Sequence, residues 1–148
     1  MAISNHWSII RRLGSCGVYP AFSEVPTTFA LVEDNDVFRE TLELLLGLRG
    51  DIDVVASVAT GQEAVAVCAE LAPDVVLVDY RMPGLNGAQT TTEVLRASPA
   101  SRVVCLTASI SRDEMSSLIE AGAVACLTKD EDLEQIVAAI HSAATAAA

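Results

Sequence analysis

Four consecutive apolar residues, Val75-Val76-Leu77-Val78, run directly into Asp79, with the turn formers Pro83, Gly84 and Gly87 close behind. A run this short and this rich in β-branched residues reads as a strand. Its lack of polar alternation means that both faces are covered, which is the situation of a strand in a parallel sheet. Open α/β sheets bind ligands outside the carboxyl ends of their strands. Asp79 stands at such an end.

The same pattern repeats along the chain. Residues 28–32 form a first strand, closed by the acidic pair Glu33-Asp34. Residues 36–48 then carry Phe38, Leu42, Leu45 and Leu46 on one helical face, with Gly50 as the terminator. A second strand, 52–58, leads to Thr60-Gly61-Gln62-Glu63, a capping-box pattern that opens a helix with Ala64, Cys68 and Leu71 inward. After the strand ending at Asp79, Asn86 to Gln89 has capping spacing and starts a helix that buries Thr91, Val94 and Leu95. Residues 102–106 are a fourth strand, followed by Thr107. Ser111 to Glu114 caps a helix with Met115, Leu118 and Ile119 inward, closed by Gly122. A fifth strand, 124–128, ends at Lys129, and Asp130 is expected to cap a last helix with Leu133, Ile136, Val137 and Ile140 on one face.

Five β-α units in about 120 residues imply an α/β fold with helices on both faces of one parallel sheet. The expected architecture is flavodoxin-like and doubly wound, with five strands in the order 2-1-3-4-5 and a switch point between the first and third. The domain is expected over residues 27–144, with an Ala-rich tail at 145–148. Residues 1–26 share none of this periodicity. Arg11-Arg12 and Leu13-Gly14-Ser15-Cys16 resemble fragments of export signals, but a signal needs its apolar run after the positive charges. The segment is therefore read as a disordered N-terminal extension. No second domain is expected after the fifth helix.

Charge narrows the partners. A net charge of −11 over 148 residues argues against a nucleic-acid surface, which needs clustered Lys and Arg. No apolar run approaches the ~18 residues of a membrane span. Four cysteines, Cys16, Cys68, Cys105 and Cys126, have neither zinc-ligand nor disulfide-framework spacing, which fits a reducing cytoplasm. The chain holds a single lysine, Lys129, so its position carries information.

Placed side by side, the strand ends form a constellation. Glu33, Asp34 and Asp79 meet at the switch point, with Thr107 and Lys129 on the same rim. Two carboxylates about 5 Å apart repel by roughly 3 kcal/mol at an effective dielectric near 20, so such a cluster calls for a hard divalent cation. Mg²⁺ suits it, because it binds through one or two carboxylates and leaves room for a phosphoryl oxygen. Asp79 is then a candidate nucleophile forming an aspartyl phosphate, with Thr107 and Lys129 neutralising phosphoryl oxygens.

Residues 27–143 resemble the response-regulator receiver domain of bacterial two-component signalling. The resemblance rests on Leu31-Val32-Glu33-Asp34, on Val78-Asp79 through Gly87, on Leu106-Thr107-Ala108 and on Leu127-Thr128-Lys129. It implies that Asp79 accepts a phosphoryl group from a sensor histidine kinase or a phosphotransfer protein. It further implies direct Mg²⁺ binding by Asp34 and Asp79, help from Glu33 through water, and a ligand from the Arg81 backbone carbonyl. Thr107 and Lys129 would stabilise the phosphoryl group, and a downstream protein partner would read the altered surface. A homodimer is compatible with the sequence. The chain would not be an enzyme beyond Mg²⁺-dependent self-phosphorylation from phosphodonors and slow loss of its own phosphate. Two departures stand out: Cys126 occupies the switch position where the family commonly has an aromatic ring, and Asp130 follows Lys129 where proline is common. The latter resembles receivers joined to a helix-turn-helix output domain. A degenerate receiver acting as a scaffold, and a Mg²⁺-dependent phosphohydrolase, are the competing readings. Such hydrolases commonly place a second aspartate two residues after the nucleophile, and here Arg81 stands there.

Overall fold

The computed structural model describes residues 25–146. Almost all of the expected N-terminal extension, including Cys16, lies outside the described residues, as do the last two alanines of the tail. The elements alternate without exception: β1 (Thr27–Val32), α1 (Asp36–Gly47), β2 (Ile52–Val58), α2 (Gly61–Leu71), β3 (Val75–Val78), α3 (Gly87–Ala97), β4 (Arg102–Thr107), α4 (Arg112–Ala121), β5 (Ala125–Thr128) and α5 (Leu133–Thr145). All four strand pairings are parallel and the sheet order is β2-β1-β3-β4-β5, as the sequence reading expects.

The central strand explains itself. Successive side chains of a strand point to opposite faces. Val75 and Leu77 therefore enter one core with Phe29, Leu31, Leu42, Leu46 and Ile140, between the sheet and helices α1 and α5. Val76 and Val78 enter the opposite core with Ala30, Val32, Ala64, Cys68 and Val94, beneath α2 and α3. A third, smaller cluster under α4 joins Tyr80, Cys105 and Leu118, with Cys126 packed against it.

Helix starts follow the capping chemistry of the sequence. Asn86 and Gln89 form a reciprocal capping box, and so do Ser111 and Glu114. The last helix departs from expectation. Asp130 does not cap it, because its carboxylate is engaged by the Thr128 hydroxyl, and Glu131 N–H donates to the Thr128 carbonyl at 3.2 Å in a further turn. Asp132 takes the cap instead, in a reciprocal box with Gln135 at 2.9 Å each way. The end of α1 also differs: Leu48 is its C-cap in right-handed conformation, and Gly50 lies beyond the helix.

Three residues expected inward face solvent: Leu45 and Leu71 are each 39% exposed and Ile119 is 64% exposed. Each lies at the border of its helical stripe. In α1 the buried line runs through Leu42 and Leu46, four residues apart, which leaves Leu45 at the margin. Helix α4 covers only the small cluster around Leu118, so its buried stripe is too narrow to include Ile119.

The loop between β3 and α3 folds back on the strand end. Gly87 N–H donates to the Tyr80 carbonyl at 2.7 Å, and a Cβ at Gly87 would lie 2.6 Å from Tyr80 Cα and 3.0 Å from the Asp79 carbonyl oxygen. These are backbone atoms that cannot rotate aside. Gly87→Ala is expected to lower stability by about 1–3 kcal/mol, the usual cost of overpacking. A urea denaturation midpoint equal to wild type would show that the loop is not held against the strand.

Candidate functional site

Strands β1 and β3 are neighbours in register, Val32 opposite Val78, so the residues that follow them emerge side by side. Asp79 N–H donates to the Val32 carbonyl at 3.0 Å and Glu33 N–H to the Val58 carbonyl at 3.0 Å, extending the ladders one residue past the strands. Oxygen atoms of Glu33, Asp34 and Asp79 consequently lie within 4.8 Å of one another. Glu33 and Asp79 are buried, at 2% and 6% exposure, whereas Asp34 is open to solvent.

Lys129 comes to this cluster from the end of β5. Its backbone N–H donates to the Thr107 carbonyl at 2.9 Å, and its Nζ reaches Glu33 Oε1 at 2.7 Å and Asp79 Oδ2 at 3.3 Å. The Phe38 ring centroid lies 4.7 Å from the same ammonium. Glu33 Oε2 accepts from Asn35 N–H at 3.0 Å, so both oxygens of Glu33 are engaged. Arg39 holds the Glu33 backbone from behind, donating to its carbonyl at 2.8 Å.

The electrostatics follow from burial and pairing. Burial raises the Glu33 carboxyl above its ordinary value, against the hydrogen bonds from Lys129 and Asn35. Burial pulls Lys129 down, but the Glu33 and Asp79 carboxylates outweigh it and hold the ammonium above its ordinary value. Lys129 thus stays charged across the physiological range.

The donor set fits a hard divalent cation. It consists of oxygens alone, and Asp34 and Asp79 Oδ1 are the carboxylate atoms least committed within the protein. Asp79 Oδ1 has only a long 3.4 Å contact with Arg81 N–H. Glu33, its oxygens tied to Lys129 and Asn35, is suited to act through water rather than directly.

Thr107 lies on the same rim, 1% exposed, its hydroxyl donating to the Ser109 carbonyl at 3.2 Å, with Ala108 exposed beside it. Cys126, the expected switch position, sits opposite Cys105 on β4, and the ring in that small cluster belongs to Tyr80.

Several contacts escape sequence reasoning. The Arg81 guanidinium grips Glu114 through two bonds, 2.9 Å and 2.8 Å, and so ties the loop after Asp79 to the start of α4. Glu114 accepts from Ser111 N–H as well, and these bonds, the Ser111 one foremost, hold its carboxyl below its ordinary value. Opposite charges 33 residues apart give no local signal for such a pair. The bond between Lys129 and Glu33 was likewise not legible, although both residues were singled out.

Residues 29–141 match the family model described as the response regulator receiver domain. The chain belongs to this family. It is 30% identical over 122 residues to the nitrate/nitrite response regulator protein NarL of Escherichia coli strain K12, covering 82% of this chain and 56% of NarL. It is 38% identical over 110 residues to the transcriptional regulatory protein LnrK of Bacillus subtilis strain 168, covering 74% and 50%. The chain thus spans about half the length of these curated relatives. Among solved structures, a two-component response regulator of the LuxR family from Aurantimonas sp. SI85-9A1 superposes with a TM-score of 0.76 at 29% identity, over 82% of this chain and 86% of that one. Among the described residues, no helix is long and apolar enough to cross a membrane.

Replacing Lys129 tests the electrostatics of the receiver's site. A raised Glu33 favours folding below its unfolded pKa and loses that contribution as pH rises through its folded value. Lys129→Met removes the opposing ammonium and enlarges that loss. The stability gap between wild type and variant should therefore widen from the carboxylate range toward neutrality. Because Lys129 keeps 20% of its side chain exposed, the gap should reach on the order of 1–3 kcal/mol, below the about 3–5 kcal/mol of a fully buried pair. Urea denaturation across that range checks it, and a pH-independent gap would contradict the pairing.

Proposed function

We propose that this receiver is a phosphorylation-driven switch in which Asp79 accepts a phosphoryl group from a histidine kinase or a phosphotransfer protein. The observation that carries the reading is the setting of the Asp79 carboxylate: its Oδ2 faces the only lysine of the chain at 3.3 Å, and the group belongs to one acidic cluster with Glu33 and Asp34.

In this reading the Asp79 carboxylate attacks the phosphorus of a phosphohistidine. The P–N bond breaks as the O–P bond forms, and its electron pair stays on the imidazole nitrogen. Asp34, Asp79 and the Arg81 carbonyl would hold a Mg²⁺ ion, with Glu33 acting through water, and the ion would supply neutralisation of charge on the transferring oxygens. Lys129 steadies Asp79 Oδ2 during the attack and then pairs with a phosphoryl oxygen, keeping Glu33 as its second anchor. Thr107 exchanges its bond to the Ser109 carbonyl for one to the phosphoryl group. The modification adds about −1.5 to −2 of charge at Asp79, which biases the surface around α4 and β5 that a downstream protein partner reads. This role belongs in the cytoplasm.

One observation favours a second reading, a scaffold that works without phosphorylation: Cys126 lacks the ring that would follow Thr107 inward. The set of Asp34, Asp79, Thr107 and Lys129 supports the switch over it. A phosphohydrolase is disfavoured by Arg81, whose guanidinium is committed to Glu114 where such an enzyme needs a second carboxylate.

Incubation with Mg²⁺ and acetyl phosphate, followed by intact-mass measurement, separates these readings. One phosphoryl adduct is expected on wild type, and none on Asp79→Asn or after Mg²⁺ is removed with a chelator. Absence of an adduct from both acetyl phosphate and a cognate kinase would favour the scaffold, and rapid multiple turnover the hydrolase.

A further inference from the structure

Cys105 and Cys126 are register partners on the parallel strands β4 and β5. Registered residues of a parallel pair project to the same face, and neighbouring strands lie about 4.7–4.9 Å apart. That separation falls inside the about 4.4–6.8 Å range of Cα distances that disulfides span. Both thiols meet in the small cluster under α4, where their side chains interact. Both are free, and Cys126 is only partly buried, on the edge strand of the sheet. Cys68 offers a contrast: fully buried in the core beneath α2 and α3, it is packed among Ala30, Val76 and Val94.

We propose that Cys105 and Cys126 form a reversible dithiol–disulfide pair, a modification site for peroxide-class oxidants built into the β4–β5 edge of the receiver.

The chemistry balances without a further partner. The Cys126 thiolate attacks one oxygen of hydrogen peroxide. The O–O bond breaks, Cys126 becomes a sulfenic acid, and the departing hydroxide takes the thiol's proton to leave as water. Cys105 sulfur then attacks Cys126 Sγ, the S–S bond forms, and the expelled hydroxyl leaves as water with the Cys105 proton. Two thiols lose two electrons and one peroxide gains them. The roles are assigned by position. Cys126 is the more accessible, and its interaction with Cys105 holds its thiol below the ordinary value against the effect of burial. Cys105, fully buried and pushed well up by its interaction with Cys126 and by burial, is the resolving partner.

The bond would fasten the strand bearing Thr107 to the strand bearing Lys129, upstream of both residues. Redox state would thereby reach the movement that the switch needs. That consequence rests on the proposed function, whereas the crosslink itself does not.

The test uses the reduced full chain and hydrogen peroxide, with no phosphodonor. Trypsin separates the two cysteines onto peptides 103–112 and 113–129. The expected result is loss of two hydrogen masses from the intact protein, joining of those two peptides, and full reversal by dithiothreitol. In Cys105→Ser, dimedone should label Cys126 and no joined peptides should form. Joining of Cys126 to Cys16 or to a second copy, direct passage to sulfinic acid, or no change in mass would each overturn the proposal. The wild-type peptide map decides alone should the variant fail to fold.

Discussion

Burying carboxylates at the lip of a parallel sheet is unfavourable unless something compensates them, and here the compensation is one ammonium. From the end of β5, Lys129 reaches past β4 to Asp79 at the end of β3 and to Glu33 at the end of β1. Its reach depends on β5 lying beside β4, on β4 lying beside β3, and on each strand ending at the same level. The two cores on either face of β3 supply that alignment, since Val75 and Leu77 anchor one side and Val76 and Val78 the other. The turn after Asp79 is held by Gly87 against Tyr80 and by Arg81 on Glu114. Fold and site are therefore one arrangement: a slip of one residue in any central strand would turn its core-facing side chains outward and displace the carboxylates.

Much of this was legible before any coordinates. The unbroken apolar run of β3 identified a covered parallel strand, and the strict β-α alternation implied the sheet order that is observed. Strand ends could be aligned on one rim because the parallel topology leaves no other choice. The misses share a cause. Leu45, Leu71 and Ile119 sit at the borders of helical stripes, where periodicity alone does not say how wide the covering neighbour is. Asp130 and Asp132 are both competent caps, and only the hydroxyl of Thr128, which occupies Asp130, decides between them. The Arg81–Glu114 and Lys129–Glu33 pairs join residues far apart in the chain, and one sequence carries no signal for which charges meet.

The cysteine at the switch position changes meaning once β4 and β5 are seen together. Read along the chain, Cys126 is a missing ring. Read across the sheet, it is half of a thiol pair whose other half, Cys105, lies two residues before Thr107. The ring in that cluster is Tyr80, the residue next to Asp79.

The central claim is that Asp79 itself receives the phosphoryl group. Treating the protein with Mg²⁺ and a phosphodonor, and then with borohydride, converts an aspartyl phosphate to homoserine, which peptide mass spectrometry locates by residue. The account predicts homoserine at position 79 and nowhere else in the acidic cluster. Homoserine at Asp34 or Glu33, or an unmodified Asp79 in protein that has taken up phosphate, would contradict it.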